Sequence, residues 1–174
     1  QLLRQGHRPF FNETATTEIY PYSHHGALPI SENVAASTVL TGVENSSVAW
    51  GDYDNDGDLD LFVSNAGENN FLYRNHGDGN FERIWDGEIV NDGGNSRSCG
   101  WGDYDNDGDT DVFVGNDVAG NSIFENDGTG IFEEVGLMSG LAYDYTGTPQ
   151  GTMGVDCGDY NNDGYLDIST SPVL

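Results

Sequence analysis

The stretch "WGDYDNDGDLDLFV", residues 50 to 63, places five aspartates on alternate positions and then turns abruptly apolar. Carboxylates this close together repel one another by on the order of 1 kcal/mol or more per pair, even when they are well solvated. The apolar run that follows is rich in residues that favour β-strands. The stretch therefore joins a strand to a loop whose charge repulsion must be offset by another group.

The same stretch occurs three times. "WGDYDNDGDTDVFV" (101–114) and "CGDYNNDGYLDIST" (157–170) are further copies, and the spacing is 51 residues from Asp52 to Asp103 and 56 from Asp103 to Asp159. A second motif, "NNFLYRNHGDGNFERI" (69–84), returns in the same register as "NSIFENDGTGIFEEV" (121–135). The sequence therefore has a repeat that is longer than the aspartate motif alone.

One repeat predicts four strands: A (Ser47 to Trp50), B (Leu59 to Ser64), C (Asn70 to Arg74) and D (Asn80 to Ile84). Four short antiparallel strands in about 50 residues is the size of one β-propeller blade. We therefore predict an all-β chain made of such blades.

The repeats divide the chain into five segments. Residues 46–95 and 96–151 are predicted to be two complete blades, and 152–174 the truncated start of a third. "FFNETA" (10–15) resembles strand D, so residues 1–15 are predicted to be the tail of a preceding blade and 16–45 an irregular connection or insertion. Because a propeller closes with about four to eight blades, we expect the chain to be a fragment of a longer propeller that supplies the remaining blades.

The composition limits the partners. Thirty acidic residues against five arginines give a formal net charge of −25, which argues against nucleic acid and anionic membranes as partners. A hydrophobic content of 36%, with 11% aromatic residues, is too high for a disordered acidic tail. No apolar run approaches the roughly 18 residues needed to insert into a bilayer. We therefore expect a folded domain that binds neither nucleic acid nor membrane.

The aspartate loops predict calcium sites. Counting from Asp52 as position 1, alternate positions 1, 3, 5, 7 and 9 carry oxygen ligands and position 6 is Gly57, which permits the tight turn. Hard, oxygen-only, largely anionic ligation suits Ca²⁺ better than Zn²⁺ or copper. Position 7 varies between Asp and Tyr, which is expected if only its backbone carbonyl binds. The predicted ligands of about three Ca²⁺ sites are Asp52, Asp54, Asp56, Asp58, Asp60, Asp103, Asp105, Asp107, Asp109, Asp111, Asp159, Asn161, Asp163, Tyr165 and Asp167.

Two other interpretations of these loops are weaker. An EF-hand or dockerin loop needs an acidic ligand at position 12, where these loops have Val63, Val114 and Thr170. Solvated turns would explain one such loop, but three copies in register favour calcium. Position 9 is then expected to bind directly.

These "GDYDNDGDLD" loops, the following "LFV" and the "LYRNHGDGNF" turn resemble the FG-GAP or VCBS repeats of integrin α-chain propellers. "GTMGVDCGDYNNDGYLDI" (151–168) is most similar to secreted proteins of the cartilage acidic protein and ASPIC/UnbV type. That resemblance implies a calcium-binding propeller of about seven blades followed by a further domain. The sequence departs from it at Asn161, which replaces an acidic ligand, and at Cys157, which stands where the other repeats have tryptophan.

No catalytic motif accompanies the loops, so we predict a non-enzymatic, extracellular scaffold for protein or glycan contacts and adhesion. The alternatives are a non-catalytic propeller part of a secreted lipase or lyase, or a purely structural cell-surface spacer. Loops of this kind fill at about 10⁻⁴ to 10⁻³ M Ca²⁺, which predicts a secreted, periplasmic or cell-surface protein. The partner is expected on the long connections 85–96 and 136–151, opposite the calcium loops, with Trp85, Tyr143 and Tyr145 as anchors.

The remaining candidates are less informative. Cys99 and Cys157 lie on strand A of adjacent repeats, which allows either a disulfide or, as we favour, two buried free thiols. The adjacent His24 and His25 would face opposite sides of a strand, so they do not predict a shared metal.

Overall fold

The computed structural model describes residues 47–172. Within this range lie two four-stranded antiparallel sheets and one two-stranded antiparallel sheet. The predicted segments 1–15 and 16–45, together with His24 and His25, fall outside the described residues.

The first sheet has the strand order β1-β2-β3-β4. Its strands begin and end within one residue of the predicted strands A to D. Trp50 of β1 pairs with Leu61 of β2, and Phe62 of β2 pairs with Leu72 of β3. The strands are β1 (Ser47–Gly51), β2 (Asp60–Ser64), β3 (Phe71–Asn75) and β4 (Phe81–Ile84).

The second sheet repeats this topology with the order β5-β6-β7-β8, and β9 pairs with β10 in the third. Two helical turns lie in the connections: a 3-10 helix at Glu88–Val90, and α1 at Gly136–Ser139. No helix in the described residues is long and apolar enough to cross a membrane. The prediction of an all-β chain of four-stranded antiparallel blades is confirmed. The strands are β5 (Ser96–Gly102), β6 (Asp111–Asn116), β7 (Ser122–Asn126), β8 (Phe132–Glu134), β9 (Thr152–Gly158) and β10 (Asp167–Pro172).

The largest described core lies between the first and second sheets. Strand alternation sends Phe62 to this core, while its neighbours Leu61 and Val63 join a separate cluster with Phe71 and Tyr73. The core between the sheets consists of Tyr53, Phe62, Leu72, Ile89, Val90, Cys99, Val112, Val114, Phe124 and Phe132. Blades one and two therefore share one hydrophobic interior.

Glycines admit the side chains of the following blade. A Cβ on Gly51 would lie 2.6 Å from the indole ring of Trp101, and a Cβ on Gly102 would lie 2.6 Å from Leu166. The Trp101 ring also meets Phe62 edge-on, with ring centroids 6.1 Å apart. Adjacent sheets approach this closely because the position before each aspartate loop has no side chain.

Both cysteines are free thiols in the structure, as we favoured from the sequence, but only Cys99 is buried and Cys157 is partly exposed. Cys99 is buried in the shared core, and Cys157 lies against Gly100 of the preceding sheet. Burial raises the pKa of both thiols, and the charge of Asp156 adds to the effect at Cys157. Neither thiol is therefore activated as a nucleophile.

Candidate metal centre

The three aspartate loops share one backbone conformation. We call them loop 1 (52–60), loop 2 (103–111) and loop 3 (159–167). At position 4, Asn55, Asn106 and Asn162 have φ angles of 57°, 62° and 60°, and at position 6 the glycines have φ angles of 93°, 100° and 92°. Asparagine and glycine tolerate this left-handed region better than other residues, which explains why both recur. Sequence spacing alone had not assigned a role to position 4.

The loops also share one pattern of backbone hydrogen bonds. In loop 1 the amide of Asp56 donates to Asp52 Oδ1 (3.1 Å), and the amide of Gly57 donates to Asp52 Oδ2 (3.0 Å). The corresponding bonds in loop 2 measure 3.1 and 3.1 Å, and those in loop 3 measure 3.1 and 2.9 Å. The position 1 carboxylate thus folds each loop around itself.

Carboxylate oxygens converge in two of the loops. One oxygen each from Asp52, Asp54 and Asp56 lie within 4.8 Å of one another, and so do oxygens of Asp103, Asp105 and Asp111. Two ligands of one Ca²⁺ ion at about 2.3–2.6 Å can be no more than about 5 Å apart. The donor set and its spacing therefore fit a calcium ion in both loops.

Loop 3 has a different arrangement at the predicted site. Asn161 replaces aspartate at position 3, and its amide Nδ2 donates to Asp163 Oδ2 at 3.1 Å. This hydrogen bond occupies an oxygen that a cation would use, and the loop has one fewer negative charge. The fit to calcium is weaker here than in loops 1 and 2.

The position 9 aspartates are buried where the loops meet the sheets. Asp60 is the first residue of β2, and its two oxygens accept the amides of Tyr53 (3.0 Å) and Asn75 (2.8 Å). Asp111 accepts the amides of Tyr104 and Asn126 in the same way at 2.7 and 2.8 Å. Burial, partly opposed by these hydrogen bonds, raises the pKa of Asp60 to about 7 and that of Asp111 to about 6. These carboxylates therefore hold a proton more readily than ordinary aspartates.

The position 7 side chains lie away from the clusters. Asp58 and Asp109 pack over Gly77 and Gly128, in the turns that join strands C and D. Asp109 Oδ1 also accepts a hydrogen bond from Asn55 Nδ2 at 2.8 Å, which links loop 2 to loop 1. Tyr165 is exposed. The side chains of Asp58 and Asp109 thus have structural roles that sequence reasoning missed.

Two buried asparagines, Asn75 and Asn126, were also missed as parts of the site. The amide of Asn126 donates to the carbonyls of Tyr53 (2.7 Å) and Thr110 (3.2 Å), and its Oδ1 accepts the amides of Gly128 and Gly130. One side chain thus joins loop 1 of the first blade to the turn of the second. Their recurrence at a spacing of 51 residues was the available signal.

The positively charged guanidinium of Arg74 lies against loop 1. Arg74 Nε is 2.7 Å from Asp54 Oδ2, and Arg74 Nη2 is 3.3 Å from Asp56 Oδ2. The equivalent residue of the next repeat is Glu125. Burial raises the pKa of Glu125, and the charges of Asp105, Glu133 and Asp107 raise it further. Loops 1 and 2 therefore have opposite charges at the same place.

The connections between strands D and A lie at the other end of the sheets, together with the B–C loops. Ala66 of the first B–C loop bridges to Asn95, and Asn70 Nδ2 donates to Asp92 Oδ2 at 2.7 Å. Of the proposed anchors, Tyr145 is 100% exposed, Trp85 67% and Tyr143 39%. The Arg83 guanidinium stacks between the rings of Phe71 and Trp85, 3.8 and 3.9 Å from their centroids.

These features define a class of protein: antiparallel blades, each with an aspartate loop between its first two strands. The FG-GAP-like repeat family matches the chain twice, over residues 52–114 and 103–169. Together the matches cover more than half of the chain, which therefore belongs to the FG-GAP-like repeat family. Each match runs from one aspartate loop past the start of the next. No curated protein matches the chain at a significant level of similarity.

Proposed function

We propose that this chain is a calcium-stabilised, non-catalytic propeller scaffold that contacts a protein or glycan outside the cell. Its membership of the FG-GAP-like family supports an integrin-like propeller scaffold. The observation that carries the calcium proposal is the convergence of three carboxylates within 4.8 Å in each of loops 1 and 2. We further propose a likeness to secreted proteins of the cartilage acidic protein and ASPIC/UnbV type, which the sequence of residues 151–168 supports.

Electrostatics supports a cation in these loops. Three carboxylates held within 4.8 Å repel one another, and the hydrogen bonds of the loop prevent them from separating. A divalent ion that binds only the folded loop relieves this repulsion. It stabilises the fold by about 2.7 kcal/mol per site when present at 100 times its dissociation constant.

The calcium proposal is tested by thermal unfolding of the full chain in EGTA, in Ca²⁺ and in Mg²⁺. We expect Ca²⁺ to raise the Tm well above its value in EGTA. Mg²⁺ should do so less, because it gives up its hydration water reluctantly. Equal Tm values in EGTA and Ca²⁺, with no calcium uptake by calorimetry, would contradict the proposal.

A matched pair of variants localises the effect. Asp105→Asn removes one charge from loop 2 but keeps the oxygen that accepts the Asp107 amide, and loop 3 already has asparagine at this position. Asp86→Asn removes the same charge from an exposed site in the D–A connection. Only Asp105→Asn should reduce the Tm gain from calcium.

We place the partner-binding surface on the D–A connections. Tyr145 and Trp85 are exposed aromatic side chains at this end, and such residues are enriched at binding sites. A glycan array and immobilised candidate proteins would test the full chain in calcium. Tyr145→Ala should weaken any binding found, whereas Tyr160→Ala, an exposed tyrosine of loop 3, should not. The opposite result would place the partner-binding surface at the end of the sheets that carries the aspartate loops.

Loop affinity also supports an extracellular location. Because loops of this kind fill at about 10⁻⁴ to 10⁻³ M Ca²⁺, they would be empty in the cytosol. A measured dissociation constant below about 10⁻⁶ M would contradict this part of the proposal, since cytosolic calcium sensors work in that range.

A further inference from the structure

Arg74 and Glu125 occupy the same position of consecutive repeats with opposite charge. Each precedes the structural asparagine of its third strand, Asn75 or Asn126. The register is also the same, since Arg74 pairs with Glu82 across β3 and β4, and Glu125 pairs with Glu133 across β7 and β8. The difference between the two loops is therefore one of charge at equivalent places.

Arg74 contacts two members of the loop 1 cluster. Its Nε is 2.7 Å from Asp54 Oδ2 and its Nη2 is 3.3 Å from Asp56 Oδ2. Asp54 Oδ2 is buried and makes no well-aligned hydrogen bond, so its charge is balanced by this ion pair. The guanidinium thus lies beside carboxylate oxygens that would coordinate a bound metal ion.

A guanidinium cannot lose its charge in a protein. A divalent ion bound to Asp54 and Asp56 would therefore be repelled by Arg74 or would have to displace it, and either costs free energy. In loop 2 no such cost arises, because Glu125 adds a negative charge near Asp105 and Asp107.

We propose that Arg74 is a built-in counter-cation that lowers the calcium affinity of loop 1 below that of loop 2, so that the two loops fill at different calcium concentrations. This inference rests on the proposed calcium-binding function. It follows that loop 1 keeps much of its stability without calcium, whereas loop 2 depends on the ion.

The test is a calcium titration of the full chain followed by NMR. The amides of Gly57 and Gly108 donate to the position 1 carboxylates and so report loops 1 and 2 separately. In the unmodified chain Gly108 should titrate at lower calcium than Gly57. Arg74→Gln should tighten loop 1 about tenfold, leave loop 2 unchanged, and lower the Tm in EGTA.

The reciprocal and control variants complete the test. Glu125→Arg should weaken loop 2 about tenfold and bring its titration close to that of loop 1. Arg97→Gln removes the same charge from an ion pair with Asp117 (3.1 Å) and should change neither titration.

The outcomes separate the two proposals. If neither glycine amide responds to calcium in any variant, the calcium function itself is overturned. Suppose that both amides respond, but that neither Arg74→Gln nor Glu125→Arg changes the calcium affinities of the two loops or the order in which they fill. The calcium function then stands and the role of Arg74 is overturned. If Arg74→Gln does not fold, an unchanged calcium affinity of loop 2 in Glu125→Arg is sufficient to overturn the role of Arg74.

Discussion

Single polar side chains join the aspartate loops to the sheets. Asn126 is buried and makes hydrogen bonds to two carbonyls, one of them in loop 1 of the preceding blade, and to two glycine amides. Asp60 and Asp111 each accept two backbone amides from separate segments. These residues set the position of the loop relative to the turn between strands C and D. The geometry of the carboxylate cluster therefore depends on Asn126, which is not a predicted ligand, as well as on the predicted ligands.

Replacement of Asn126 should therefore destabilise the fold. Asn126→Ala leaves the buried carbonyl of Tyr53 without its 2.7 Å donor, and buried unpaired groups cost about 1–3 kcal/mol each. We expect a lower free energy of unfolding in both EGTA and calcium, measured by urea denaturation. Glu133→Ala, an exposed change on β8, is the control. Equal stability of the two variants would show that the asparagine network is not needed.

The raised pKa of Asp60 predicts that the calcium-free protein becomes less stable as the pH rises. Its folded pKa of about 7 exceeds the unfolded value of about 3.9, so the folded state binds the proton more tightly. This contribution to stability is fully present below about pH 4 and is lost as pH rises through about 7.

Thermal unfolding in EGTA between about pH 5 and pH 7.5 measures this effect, and we expect the Tm to fall as pH rises. General charge repulsion acts in the same direction, so Asp60→Asn is the control, and it should flatten part of the slope. A slope that is identical in Asp60→Asn would mean that Asp60 does not titrate in this range.

At the scale of strands and loops, the sequence predicted most of the architecture. Strand bounds were within one residue in the first sheet because glycine, asparagine and aspartate mark the ends of the strands. The convergence of Asp52, Asp54 and Asp56 also followed from alternate spacing in a tight loop. The contact of Arg74 with loop 1 could not be predicted, since it depends on how the third strand is registered against a loop that precedes it by about 20 residues.

The glycine before each loop gives a prediction for blade packing. A Cβ on Gly51 would come within 2.6 Å of Trp101, and one on Gly102 within 2.6 Å of Leu166, whereas nothing described lies within 4 Å of Gly158. Gly51→Ala and Gly102→Ala should each cost about 1–3 kcal/mol through overpacking. Gly158→Ala should have little effect on the free energy of unfolding. A large loss there, or none at Gly51, would contradict this packing.

At the scale of the whole molecule, the first two blades are coupled through a shared hydrophobic core and through hydrogen bonds between them. The core between the first two sheets draws side chains from both, and the 3-10 helix Glu88–Val90 contributes Ile89 and Val90 to it. Polar contacts add to this coupling, since Asn55 donates to Asp109 and Asn126 to Tyr53. The sequence could not assign these contacts to particular pairs, because they join residues about 50 or more positions apart.

This shared core predicts that blades one and two unfold together. Phe62 is fully buried and faces Trp101 of the second blade, so Phe62→Ala should cost about 3–5 kcal/mol and loosen both sheets. Hydrogen exchange measures this directly, and amides of β6 and β7 should lose protection along with those of β2 and β3.

Leu61→Ala is the matched control, because Leu61 is buried on the other face of the same strand, in the cluster of Val63, Phe71 and Tyr73. It should reduce protection in the first sheet more than in the second. Nearest-neighbour coupling in repeat proteins acts through interfaces, so only the side chain at the interface should transmit its loss. If Phe62→Ala leaves the amides of β6 and β7 as protected as before, each blade is stable by itself and the shared core does not couple them.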